Sequence, residues 1–221
     1  MGNFKRLFEM IPVGQNTFNS VFTTIMGTVT SLFFCALAGF AFAKYKFPGK
    51  TVLFYFVIAT MLVPPEVGSV PLFIIMKKVG LINSLWSLII PRIATAVGIF
   101  YMNQYITAVP DELVEAARID GCGELKIYSQ IIMPMCKPGL ATLVVFTFNF
   151  MWNDYMGPMI YLNTDKLKTI QIGLAAFRTE YGAEYGLIMA GTVCSLLPMV
   201  LIYCVAQKYL IEGIAFSGLK G

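Results

Sequence analysis

Residues 10–43 contain no charged side chain. A helix rises about 1.5 Å per residue, and about 20 predominantly apolar residues cross the hydrocarbon of a bilayer. A run of this length leaves few options other than a membrane-spanning helix, expected at about residues 16–43 with Asn16 or Thr17 as its cap. The whole chain agrees. It is 57% hydrophobic and 13% charged, where a soluble domain carries about 25% charge. Further apolar runs predict spans at about 51–63, 85–107 (interrupted at Pro91-Arg92), 137–162 and 185–207. The expected fold is therefore an all-α membrane protein of about five transmembrane helices, with residues 1–221 as one domain. Between the second and third spans, residues 71–79 read as a short interfacial helix and 80–84 as a turn. Residues 163–185 read as a polar loop and 209–221 as a tail. Gly27 and Gly39 leave room for close helix approach. Trp86 and Trp152 read as anchors at the membrane interface.

Composition also excludes functions. A net charge of +4 without a basic run carries no nucleic-acid footprint. The chain has no histidine, so the commonest general base and metal ligand is missing. Its five cysteines lack C-x2-C spacing, and no metal site is expected. No G-x-x-x-x-G-K-[ST] phosphate loop occurs, so this chain is not expected to bind ATP itself.

One stretch breaks the apolar pattern. Residues 110–134, PDELVEAARIDGCGELKIYSQIIMP, read as two short amphipathic helices joined at a glycine. Pro110 suits a first helical turn, and Asp111 and Glu112 favour the positive end of the helix dipole. The period places Leu113, Ala116, Ala117 and Asp120 on one face, with Glu115 and Arg118 on the more polar side. Gly121 falls where a left-handed residue would stop the helix. A second helix over about 124–133 puts Leu125, Tyr128, Ile131 and Ile132 together, and Pro134 is expected to end it. Taken alone, such a hook is compatible with a helix pair lying on lipid.

The order Glu115-Ala116-Ala117, Gly121, Ile131 and Pro134 resembles the EAA loop of ABC-importer permeases, E-A-A-x3-G-x9-I-x-L-P, with Met133 in place of Leu. Weaker motifs follow in the order found in carbohydrate-uptake permeases of the maltose type, shorter subunit: Asn19-Ser20, Asn153-Asp154-Tyr155, Thr169-Ile170-Gln171-Ile172-Gly173-Leu174, Gln207-Lys208-Tyr209, and the terminal Gly218-Leu219-Lys220-Gly221. The resemblance implies a permease subunit of an ATP-driven importer for a sugar or oligosaccharide, multi-pass in the cytoplasmic membrane and not itself an enzyme. It implies a second permease subunit, two ATPase subunits that hold ATP-Mg, an extracellular solute-binding protein and membrane lipid as partners. It also implies that the hook is cytosolic and contacts the ATPase through Glu115, Ala116, Ala117, Gly121, Ile131 and Pro134. Such permeases usually have six spans, and the start of this chain resembles the stretch before the second, so the first helix of the six is expected to be absent. The alternatives are a permease for another solute class and an ion-driven secondary transporter.

Glu66, Arg92 and Asp154 fall within the apolar regions. Intramembrane charges mark functional or buried paired sites. Arg92 is expected to pair with Asp154 or Glu66, and these three residues with Asn153 are the candidates for a translocation path.

Overall fold

The computed structural model describes residues 2–179 and 184–218, with side-chain surroundings for 2–177 and 184–208. Glu180 of the expected polar loop, and Leu219, Lys220 and Gly221 of the terminal motif, lie outside that description, as do the side-chain surroundings of Arg178. Among the described residues the secondary structure is helical, with no strand. The elements are α1 (Gly2–Met10), α2 (Val13–Lys44), α3 (Lys50–Thr60), α4 (Ser69–Lys78), α5 (Trp86–Ile89), α6 (Ala96–Thr107), α7 (Asp111–Ile119), α8 (Glu124–Ile127), α9 (Met133–Met135), α10 (Lys137–Trp152), α11 (Met156–Tyr161), α12 (Ile170–Thr179) and α13 (Tyr185–Gly218).

Among the described residues two helices are long and apolar enough to cross a membrane alone, Val13–Lys44 and Tyr185–Lys208. A third crossing is available if Glu124–Met135 and Lys137–Trp152, bent by 82° at their junction, act as one. The second span is short and the third is broken, the latter at the Pro91-Arg92 interruption read from the sequence. Helix α3 has 11 residues and stops before Pro64-Pro65. The region around Pro91 is divided into α5, a 3-10 turn at Ile90–Arg92, and α6. Proline removes a backbone donor and clashes with the preceding turn, so interruptions at these positions follow from the covalent chemistry. Thr95 restarts the helix by accepting a hydrogen bond from the Gly98 N–H at 3.1 Å.

The chain packs as two compact units. One combines the chain up to Thr28 with Gly68–Arg92 and Thr147–Val205. Its main core contains Leu7, Ile11, Phe148, Trp152, Ile170 and Phe177. Trp152 is 2% exposed and donates from Nε1 to the Ser195 carbonyl at 2.9 Å, so it is a core residue and not an interface anchor. The polar loop expected at 163–185 contains α12, whose Ile170 and Phe177 are buried at helical spacing. Asn16 lies inside α2, past its start, and does not cap it.

Asn19 and Ser20 explain why two of the weak motifs occur together. Asn19 Nδ2 donates to the carbonyls of Lys166 and Lys168, both at 2.9 Å. Ser20 Oγ accepts the Ile170 N–H at 2.9 Å, satisfying an otherwise orphaned donor at the start of α12. Asn16 packs where Gly173 has no side chain; a Cβ there would lie 2.5 Å from Asn16 Nδ2.

A second tie joins the turn before α5 to the segment after α11. Asn83 adopts φ 60, donates from Nδ2 to Thr164 Oγ1 at 2.8 Å, and accepts the Asn163 and Thr164 N–H groups at 3.1 Å each. Asn83→Ala loses these bonds and retains a left-handed backbone, an expected cost of about 1–3 kcal/mol. Thermal unfolding in detergent should show a lowered midpoint, partly recovered by Asn83→Gly. An unchanged midpoint in the alanine variant counts against the tie.

The other unit combines Val29–Val67 with Ile93–Phe146 and the chain from Ala206. Its core draws Cys35, Ala36 and Phe40 from α2, Met102 and Ile106 from α6, and Val114, Ala117, Ile127 and Ile132 from the hook. Gly39 permits the approach of α2 to α6, since a Cβ there would meet Met102 Cβ at 2.7 Å and the Asn103 backbone nitrogen at 2.9 Å.

Candidate functional site

The hook is built largely as its residues require. Pro110 stands just before α7 as its N-cap, with ψ 136, and Asp111 and Glu112 occupy the first turn. Gly121 has φ 77 and follows the last turn, where its N–H reaches the Arg118 carbonyl at 3.0 Å and the Cys122 N–H reaches Ala117 at 2.9 Å. This is the left-handed C-terminal cap that the glycine suggests.

The faces differ from the simple helical reading. In α7 the buried residues are Val114 and Ala117, while Leu113, Glu115, Ala116 and Asp120 are exposed. Ala117 is therefore small because it packs against this unit's own core, and Ala116 is the small residue left facing outward. After α8 the backbone widens into a π turn at Tyr128–Ile132 before α9. A π turn holds more residues than an α turn and shifts the register. Ile127 and Ile132 are consequently buried, Tyr128 and Ile131 are partly buried against the core, and Leu125 is 76% exposed. Pro134 does not end the helix. It lies within α9, where the wide preceding turn accommodates its missing N–H, and the chain bends only after Met135.

Around the hook is a set of polar contacts that periodicity alone does not reveal. Lys44 Nζ donates to the Val109 carbonyl at 2.5 Å and to Asp111 Oδ1 at 2.6 Å. Tyr45 Oη donates to Glu124 Oε2 at 2.5 Å. Arg118 donates to both Glu124 oxygens, at 2.8 and 3.2 Å, and its guanidinium lies 5.6 Å from the centre of the Tyr45 ring. Lys44, Tyr45, Lys46, Asp111, Glu115 and Arg118 line a cavity of about 250 Å³, with Val114 as its apolar wall. Glu115 makes no hydrogen bond or ion pair among the described residues.

Hydrogen bonds from Arg118 and then Tyr45 hold the Glu124 carboxyl below its usual value of 4.5. Lys44 does the same to Asp111, whose usual value is 3.8. Burial, with Glu124 next, pushes the Tyr45 phenol up to about 12. A lowered carboxyl contributes stability above its ordinary range and loses it as pH falls through the lowered value. A raised phenol contributes below 10.0 and loses its contribution as pH rises through about 12. These contacts keep their protonation states throughout the neutral range. The exposed Arg118–Glu124 pair is nevertheless screened, so by itself it is a small contribution.

Of the membrane-depth candidates, Arg92 and Asp154 meet. Arg92 Nη1 donates to Asp154 Oδ2 at 2.5 Å, with side-chain exposures of 23% and 11%. The guanidinium lies 5.1 Å from the Phe150 ring centre, and Asp154 Oδ1 accepts the Gly157 N–H at 3.2 Å. The acid stands at the entry to α11 and the base at the end of the 3-10 turn, which suits both dipoles. With Ser20, Thr23 and Thr169 they border a cavity of about 10 Å³, room for about one water. Asn153 is exposed and donates to Asn149, its carbonyl at 3.0 Å and its side-chain oxygen at 2.6 Å. Glu66 lies in the exposed turn after α3.

Residues 33–215 match the family described as the binding-protein-dependent transport system inner membrane component. The chain belongs to that family. The permease is 36% identical over 203 residues to the arabinooligosaccharides transport system permease protein AraQ of Halalkalibacterium halodurans, covering 92% of this chain and 73% of that protein. It is 32% identical to the lactose transport system permease protein LacG of Rhizobium radiobacter, covering 97% and 79%. Among solved structures, a bacterial ABC transporter involved in the import of the acidic polysaccharide alginate has a chain that superposes with a TM-score of 0.84 at 26% identity, covering 94% of this chain and 79% of the other. The permease is thus a multi-pass membrane component of an ABC import system and not an enzyme.

Proposed function

We propose that the permease forms part of the membrane path for a sugar or oligosaccharide and takes its drive from ATPase subunits seated against the hook. In this reading residues 1–221 act as one permease domain beside a second permease subunit. Two ATPase subunits bind and hydrolyse ATP-Mg on the cytosolic side, and an extracellular binding protein supplies the solute. The names of AraQ and LacG support a carbohydrate. The observation that carries the coupling role is the exposed Glu115–Ala116 surface. Its carboxylate has no partner among the described residues, while the opposite side of α7 is anchored in the core. A carboxylate so placed can receive a cationic side chain from another protein. Gly121, Ile131 and Pro134 set the shape of the hook in this reading and do not themselves contact the ATPase.

The test is co-purification of ATPase with permease, together with sugar-stimulated ATP hydrolysis in vesicles. Glu115→Lys should leave the permease inserted and release the ATPase. Gly121→Val should disturb the joint between α7 and α8, because a branched residue at φ 77 is strained, by about 1–2 kcal/mol or more. Normal ATPase retention in both variants would end the coupling role. A full importer that transports none of a panel of mono- and oligosaccharides would remove the carbohydrate assignment alone.

A further inference from the structure

The long helix α2 ends at Lys44, and its last residue and the next both reach into the hook. Lys44 has a side chain only 2% exposed, held by the Val109 carbonyl and Asp111. Burying an ammonium group costs several kcal/mol unless it is paired and hydrogen-bonded, so this geometry is strongly specified and differs from an ordinary surface ion pair. Tyr45 holds Glu124, the first residue of α8, while Lys44 holds Asp111, the first residue of α7. Arg118 then bridges α7 to α8 through the same Glu124 carboxylate and covers the Tyr45 ring. Gly121 alone would leave the two short helices joined by a permissive backbone. With these contacts each helix is fastened by its first residue to the same end of α2.

We propose that Lys44 and Tyr45 are positioning residues that make the hook and the cytosolic end of α2 one mechanical piece, so that a displacement of the hook by the ATPase is passed to this membrane-spanning helix. The inference rests on the reading of the hook as the ATPase contact. Lys44 and Tyr45 act through Asp111 and Glu124, and neither is assigned a contact with the ATPase. Their loss separates ATP hydrolysis from transport and leaves the ATPase bound.

The experiment uses the complete importer in vesicles, with Lys44→Met, Lys44→Arg, Tyr45→Phe and Glu115→Lys in the permease. Lys44→Met removes a buried cation and leaves Asp111 in solvent, where its side chain is already 75% exposed, so no buried charge is stranded. Three quantities are read: ATPase retained on purification, ATP hydrolysis, and sugar transported per ATP. Lys44→Met and Tyr45→Phe should retain the ATPase and hydrolyse ATP, while transport per ATP falls by about tenfold, within the span of ordinary coupling free energies. Lys44→Arg preserves the cation and should recover most of the ratio. If the ratio is unchanged in Lys44→Met and Tyr45→Phe while Glu115→Lys sheds the ATPase, the inference fails and the hook reading stands. ATPase release by Lys44→Met or Tyr45→Phe also overturns the inference, since those residues would then serve only the shape of the docking surface. Retention of ATPase by Glu115→Lys removes the hook reading itself.

Discussion

Arg92→Ala should destabilise the permease by about 3 kcal/mol, the lower end of the usual cost of stranding one partner of a buried ion pair, because this pair is partly buried. The remaining Asp154 is 11% exposed and would retain only the Gly157 N–H as a partner. Phe150 would also lose the cation beside its ring. Combining Arg92→Ala with Asp154→Asn removes the charge that the single change leaves behind, so the double variant should be more stable than Arg92→Ala alone. The measurement is a double-mutant cycle on thermal or denaturant unfolding in detergent. Glu66→Gln in the same background is the control and should give no rescue. Additive losses from Arg92→Ala and Asp154→Asn would show that the two charges do not support one another. The expected coupling has a geometric cause. This pair joins the end of the interrupted third apolar segment to the start of α11, two places where broken helices leave backbone groups exposed.

Ala117→Trp and Ala116→Trp should fail in opposite ways. Ala117 is 7% exposed and packs in a core with Val114, Ile127 and Ile132. An indole there cannot be housed without moving α7. Overpacking typically costs about 1–3 kcal/mol, and so large an increase in volume falls at or beyond the upper end. The Ala117 variant should show low yield and a depressed unfolding midpoint. Ala116 faces outward, so Ala116→Trp should fold normally and insert, yet fail to hold the ATPase because its bulk blocks close approach. Fluorescence-detected size exclusion with an unfolding series separates the first effect, and ATPase co-purification reads the second. Normal folding of the Ala117 variant would contradict the packing described. Full ATPase retention by a folded Ala116 variant would take this face out of the interface.

That contrast also shows where sequence reading succeeds and where it stops. Charge-free residues 10–43 fix a membrane helix because length and solvation leave little choice, and α2 covers all of them from Val13 on. Gly121 was legible because positive φ is a local requirement. The pairing of Arg92 with Asp154 was legible because an isolated charge is costly in lipid, although Glu66 satisfied the same rule from sequence. The faces of the hook were not legible. A regular 3.6-residue period places Leu125 with Ile132, but the π turn between them changes the register and sends Leu125 outward. Helix α12 was hidden by its polar flanks, though Ile170, Leu174 and Phe177 carry its period. Lys44 and Tyr45 looked like an ordinary basic link, because their partners are 65 to 79 positions away in the chain. Trp152 suggested an interface anchor by residue type, and only the Ser195 carbonyl shows where its indole N–H is satisfied.

The Asn19 tie has a consequence for synthesis. Its two carbonyl acceptors lie 147 and 149 residues further along the chain. At about 5–20 residues per second, a ribosome takes on the order of ten seconds to make that distance. During this interval α2 has entered, or waits to enter, the bilayer with an amide whose final partners do not yet exist. Hydrocarbon offers it no substitute. Helix α2 is therefore made well before it can acquire these native polar contacts, and the insertion machinery, water or a passing helix must occupy that amide until α12 arrives.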